Sequence, residues 1–232
     1  METRNLAATI HEQAKKYENR TQKALFYKEG DEWKGISWKE FGERIDNAAK
    51  GLLELGAKEN DMIAIYSSNR PEWVISDYAI MSIRCSTVAI YASNTAEQAE
   101  YIVDDARCKI IFVDDQFQYD NVMKFYKGNS KVGYVIVYSR SVEIDANDNN
   151  IMYIEDLYEL GRRSNQDEEL QRRLNAVTTD DIMSVIYTSG TTGDPKGAMH
   201  SHRSFFVEID ALNSRFPMGE DDIEVVFLPL SH

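Results

Sequence analysis

Five short runs of apolar residues recur along the chain: MIAIY (62–66), TVAIY (87–91), KIIFV (109–113), YVIVY (134–138) and IMSVIY (182–187). They are rich in Val and Ile and continuous rather than alternating, the pattern of strands buried on both faces. Helical segments separate them, with predicted starts near Pro71, Thr95, Phe117 and Ile154, Thr95 forming a capping box with Gln98. Upstream, the pattern predicts a helix around 4–17 and a hairpin turning at Glu29–Asp31. A further helix is introduced by a Ser37/Glu40 capping box, carries Phe41, Ile45, Leu52 and Leu55 on one face, and stops at Gly56. Buried strands alternating with helices predict an α/β fold, a predominantly parallel sheet covered by helices on both faces. IEVVFLPL (223–230) reads as another apolar strand, and the chain ends soon after it at His232. A domain rarely ends inside a core strand, so the expectation is a piece of a longer protein. No internal repeat is visible, and EIDANDNN (143–150) reads as an exposed loop.

Composition narrows the class. With 232 residues and 43% hydrophobic side chains, the chain can bury a sizeable core. Its net charge of −13 argues against nucleic acid and against adhesion to anionic lipid, both of which call for basic surfaces. No run approaches the roughly eighteen consecutive apolar residues of a membrane span, and METRNLAATIHEQAKKYENR lacks the apolar centre of a signal peptide, which together read as cytoplasmic. Cys85 and Cys108 are too few for a disulfide framework and lack CxxC spacing, so they read as reduced, buried thiols.

The densest chemistry lies in YTSGTTGDPKG (187–197). Gly190, Gly193 and Gly197 allow positive φ and close backbone approach; Thr188, Ser189, Thr191 and Thr192 add hydroxyl donors; Lys196 adds a mobile positive charge. These are the parts of a phosphate-binding loop, the alternative being a polar surface turn. The stretch directly follows the strand IMSVIY, and in parallel sheets ligands sit at the carboxyl ends of strands. Lys196 follows Pro195 and precedes Gly197, which does not fit G-x-x-x-x-G-K-[ST], and the G-x-G opening of a dinucleotide fingerprint is missing. An acidic chain that binds polyphosphate must rely on local donors and a bound divalent cation.

YTSGTTGDPKGAMHSH resembles the signature loop of the adenylate-forming enzymes: acyl-CoA synthetases, luciferases and peptide-synthetase adenylation domains. LPLSH (228–232) resembles the next motif of that family, and NRPEW (69–73) and ASNTAEQAEYIVDDA (92–106) are similar to the long-chain fatty acyl-CoA synthetase branch. Ser204 and His200 depart from the usual residues, outside the phosphate loop. The resemblance implies residues 1–232 as the N-terminal part of the large AMP-binding domain. It further implies a ligase that uses ATP with magnesium and coenzyme A and joins a fatty acid to the thiol through an acyl-adenylate. Backbone amides and hydroxyls of Thr188, Ser189, Gly190, Thr191, Thr192 and Gly193 would hold the β- and γ-phosphates, and Lys196 would neutralise the departing pyrophosphate. His232 would lie beside the α-phosphate at the mouth of the acyl channel, although on residues alone it reads as a packing histidine. His202 reads as a brace of the loop–helix junction, and His200 with His202 offers too few ligands for a metal site. The adenine, ribose and magnesium contacts and a C-terminal lysine are expected after His232, so residues 1–232 alone are expected to be inactive. Peripheral membrane contact and a homodimer stay open. So do a silent nucleotide-binding module and an adenylation domain for another carboxylic acid.

Overall fold

A computed structural model describes residues 5–128, 131–188 and 194–231. The first helix, α1 (Leu6–Lys16), is capped by Asn5, whose side chain accepts from the Ala8 amide at 2.8 Å. β1 (Leu25–Glu29) and β2 (Glu32–Ile36) form the expected antiparallel hairpin, turning through Gly30 at φ +60°. α2 (Trp38–Glu54) starts at Ser37, whose hydroxyl accepts from the Glu40 amide at 3.2 Å. The Glu40 carboxylate takes Arg44 instead of turning back to the cap, at 2.6 Å, so the predicted capping box is one-sided. Gly56, at φ +83°, follows the helix end as expected.

Beyond this come β3 (Met62–Tyr66), α3 (Pro71–Ser82), β4 (Ser86–Ile90), α4 (Ala96–Asp105), β5 (Ile110–Val113), α5 (Gln116–Tyr126), β6 (Tyr134–Val137) and β7 (Ile151–Tyr153). They are followed by α6 (Ile154–Arg163), α7 (Asp167–Ala176), β8 (Ile182–Thr188), β9 (Lys196–Ser201) and α8 (His202–Asn213). The main sheet runs β7-β6-β5-β3-β4-β8-β9, parallel except for β9, which returns antiparallel on β8. The predicted parallel sheet with helices on both faces is therefore what the chain forms.

Strand alternation divides the core in two. Ile63, Ile65, Phe112 and Ile136 pack with Phe41, Ile45 and Leu52 of α2, Trp73 and Ile80 of α3 and Leu157 of α6. Ala64, Tyr66, Ile111, Val113 and Val135 face the other way, against Ala99 and Ile102 of α4 and Val122 and Phe125 of α5. Each such aliphatic side chain contributes about 1.5–3 kcal/mol on burial. Cys85 and Cys108 are free and buried; burial pushes the Cys85 thiol up to about 12 and the Cys108 thiol higher still, so neither is a nucleophile.

The segment 223–230 is a correction to the sequence reading. It forms no strand, and Ile223, Val225, Val226, Phe227 and Leu228 are exposed. An apolar run becomes a strand only where a neighbouring edge takes its amides and carbonyls. Here the Asn69 side chain does so, donating to Leu228 O at 2.7 Å and accepting from Leu230 N at 2.8 Å, and no strand edge among the described residues pairs with the segment. Among the described residues no helix is long and apolar enough to cross a membrane.

The helices α2 and α6 cross backbone to backbone. A Cβ at Gly161 would lie 1.8 Å from the Asn47 carbonyl oxygen, and one at Gly51 2.5 Å from that of Leu157. Backbone, not a flexible side chain, would have to move. Gly161→Ala is expected to cost about 3 kcal/mol, the upper end of ordinary overpacking. Denaturant unfolding of the two proteins checks this; a loss below about 0.5 kcal/mol would mean the helices separate easily.

Candidate functional site at the carboxyl edge of the sheet

The β8–β9 hairpin brings two of the sequence-predicted residues together. Thr188 ends β8, Lys196 begins β9, and they are cross-strand partners at the mouth of the 189–195 connection, both exposed. Ser189, Gly190, Thr191, Thr192, Gly193 and His232 lie outside the described residues. Gly197 does not serve as a turn glycine. It sits within β9, not at positive φ, opposite Tyr187, where an added Cβ would come within 2.8 Å of Val185 Cγ1 and 3.2 Å of the Tyr187 ring. Its missing side chain seats that ring across the strand.

Beside the hairpin, a cavity of about 370 Å³ opens between the ends of β4 and β8 and the start of α4, with Tyr91, Asn94, Gln98, Ile186 and Thr188 in its wall. The β4–α4 turn that forms its rim is fixed from below. Gln118 of α5 donates to Ala92 O at 2.8 Å, and the Tyr66 hydroxyl, itself accepting from Asn121 at 3.1 Å, donates to Asn94 O. The helix α4 reaches both stems of the hairpin. Tyr187 donates its hydroxyl to Asp105 Oδ2 at 2.5 Å, and Tyr101 donates to Pro195 O at 3.1 Å. Burial first, and then the Asp105 carboxylate, push the Tyr187 pKa well above the usual range, so its hydroxyl stays a donor. A second hollow of about 440 Å³ lies elsewhere, over the 143–150 loop, where Lys127 already engages Asp145 at 2.9 Å.

The AMP-binding enzyme family model matches residues 10–232. This chain belongs to the AMP-binding enzyme family. Among its relatives, the long-chain-fatty-acid–CoA ligase ACSBG2 of Homo sapiens is 31% identical over 213 residues, covering 91% of this chain and 32% of the relative. The Mycobacterium bovis long-chain-fatty-acid–CoA ligase FadD15 is 31% identical over 202 residues, covering 86% of this chain and 32% of the relative. The chain spans about a third of the length of these curated relatives. Among solved structures, the inhibitor-bound N-terminal domain of FACL13 from Mycobacterium tuberculosis superposes with a TM-score of 0.74 at 21% identity, over 98% of this chain and 52% of that one. The anthranilate CoA ligase AuaEII in complex with anthranoyl-AMP gives 0.71 at 18%, over 92% of this chain and 38% of that one. At these identities the likeness speaks for the fold.

Beside β3, where the chain reverses its winding direction, polar groups that sequence reasoning missed tie the turn after β3 to the end of β5. Arg70 donates to Asp114 at 2.5 Å and to Glu72 at 2.7 Å, and Asp114 also accepts the Ser68 amide at 3.1 Å. NRPEW is the signal that could have found this clasp. His202, the first residue of α8, is buried and accepts the Leu6 amide on Nδ1 at 3.2 Å; it braces α8 against α1. No group of three His, Cys, Asp or Glu side chains among the described residues is placed to hold a metal ion.

Burial lowers the His202 pKa from 6.5 to about 4, and only the neutral ring can accept the Leu6 amide. Because the unfolded chain takes up the proton first, this contribution to stability is complete above pH 6.5 and is lost as the pH falls toward 4. His202→Asn keeps an acceptor without a titrating ring. Its stability relative to the parent should rise by on the order of 3 kcal/mol between those limits, measured by urea unfolding across the pH range. A pH-independent difference would contradict the assignment.

Proposed function

We propose that residues 1–232 form the N-terminal part of the large AMP-binding domain of a long-chain fatty acid–CoA ligase. The enzyme would convert ATP, a fatty acid and coenzyme A into acyl-CoA, AMP and diphosphate. The observation that carries this reading is the pairing of Thr188 with Lys196 at the carboxyl edge of the sheet, in a chain of this family with long-chain-fatty-acid–CoA ligases among its relatives.

In the first step a fatty carboxylate oxygen bonds to the α-phosphorus of ATP as the bond to the pyrophosphate oxygen breaks. The coenzyme A thiol, losing its proton, then attacks the acyl carbon and AMP leaves. Little covalent work falls to the protein, and positioning and charge stabilisation dominate such transfers. Amides and hydroxyls of Thr188, Ser189, Gly190, Thr191, Thr192 and Gly193 hold the β- and γ-phosphates, Lys196 offsets charge on the leaving pyrophosphate, and His232 lies beside the α-phosphate. Local donors are required because the chain as a whole carries −13 and repels the nucleotide. Magnesium would screen the phosphates; among the described residues no group of three His, Cys, Asp or Glu side chains is placed to hold it. The cytoplasm supplies ATP and coenzyme A together. A fatty substrate would bring the whole enzyme into peripheral contact with membranes.

ATP–pyrophosphate exchange by the full-length protein, across a panel of carboxylic acids, tests the reading. Long acyl chains should exchange faster than acetate or amino acids; preference for acetate or an amino acid would overturn the substrate class, and absence of exchange with every acid would favour a silent nucleotide-binding module. Lys196→Ala should weaken adenylation by roughly 1.5–3 kcal/mol, the worth of a charge-assisted phosphate contact, while leaving the melting temperature unchanged. Residues 1–232 alone should bind ATP no tighter than about 1 mM by calorimetry, because a few phosphate contacts barely offset the cost of association.

A further inference from the structure

We propose that the face of α4 carrying Tyr101 and Asp105 is a two-point clamp that sets the separation and direction of Thr188 and Lys196, making Tyr101 and Asp105 positioning residues for the nucleotide phosphates. The proposal rests on the reading above that Lys196 meets those phosphates.

Tyr101 and Asp105 are four residues apart in α4 and therefore share one side of the helix. Each reaches a different stem of the hairpin, at the residue next to a sequence-predicted phosphate contact. Tyr101 donates to the carbonyl of Pro195, the residue before Lys196. Asp105 accepts from Tyr187, the residue before Thr188.

The β9 stem needs such a tether, since β8 is already held by β4 and by its buried Val185 and Tyr187. Among the described residues, β9 is the edge of the sheet and pairs with β8 alone. Lys196, Ala198, Met199 and His200 are exposed, and among the described residues no β9 side chain enters a core cluster. Core packing therefore does not set where this strand begins. The Tyr187 ring spans the two strands, resting on Gly197 of β9 while its hydroxyl is held by α4, so the Asp105 bond restrains both stems. The Tyr101 hydroxyl lies on a half-buried side chain that could instead be hydrated, and burial alone does not demand its bond to Pro195. Proline offers no amide at this position, so its carbonyl is the backbone handle available just before Lys196.

Steady-state kinetics of the full-length protein, with amide hydrogen exchange on the same nucleotide-free variants, tests the clamp. Tyr101→Phe and Asp105→Ala should each raise KM for magnesium-ATP about five- to tenfold, the effect of one lost hydrogen bond, with KM for fatty acid changed less than about twofold. Asp105→Asn, which keeps an acceptor oxygen, should restore most of the loss. Exchange at 186–188 and 196–198 should be faster in Tyr101→Phe and Asp105→Ala, with the melting temperature unchanged in Tyr101→Phe. Unchanged exchange would overturn the clamp, and so would parallel losses for both substrates together with melting temperature. Faster exchange with parental magnesium-ATP kinetics would overturn its positioning role. If Lys196→Ala itself leaves magnesium-ATP kinetics at parental values, the reading beneath the proposal fails, whatever the exchange shows.

Discussion

Everything in this chain follows from a sheet that must be covered on both faces. Ile63 and Ile65 point to one side of β3 while Ala64 and Tyr66 point to the other, and all four are buried. A strand with no wet face cannot lie at the surface, so the connections between parallel strands must run as helices over one face or the other. The chain steps from β3 to β4 through α3 on one face, then returns past β3 to β5 through α4 on the other. That reversal gathers the strand-to-helix turns at the carboxyl edge and leaves a crevice there.

Polar side chains then give that edge a fixed shape. The Arg70 clasp closes the turn after β3, Gln118 and Tyr66 hold the turn after β4, and α4 ties down the hairpin that follows β8. In each case a side chain from one element satisfies a carboxylate, hydroxyl or backbone carbonyl of another, which is how loops that carry ligands are kept in register without a core of their own. Of these bonds, the two from α4 reach the residues next to Thr188 and Lys196.

The parts of the fold legible in the sequence are those where burial dictates residue type. The five apolar runs became β3, β4, β5, β6 and β8, and the capping box at Thr95 and Gln98 forms as read. β7 and β9 were not legible for opposite reasons. Ile151–Tyr153 is only three residues long and follows an Asn-rich loop, whereas KGAMHS lies on an exposed edge and carries no apolar run. α7 offers two buried leucines, Leu170 and Leu174, among charged residues, too thin a stripe to stand out. The run at 223–230 misled because hydrophobicity specifies a wish for cover, not a pairing partner. At the hairpin, Gly197 lies within β9 and admits the Tyr187 ring instead of turning the loop, and from sequence those two kinds of glycine read alike. Tyr101 and Asp105 were hidden because their partners are distant in sequence.

The central claim is that nucleotide phosphates meet this chain at the carboxyl edge, beside Lys196. Lysine acetylation of the full-length protein, quantified by mass spectrometry with and without magnesium-ATP, tests it most directly, because Lys58 and Lys109 lie at the opposite edge as internal controls, Lys109 paired with Asp61. The account predicts that nucleotide protects Lys196 and leaves Lys58 and Lys109 as reactive as before. Equal reactivity of Lys196 in the two states would contradict it.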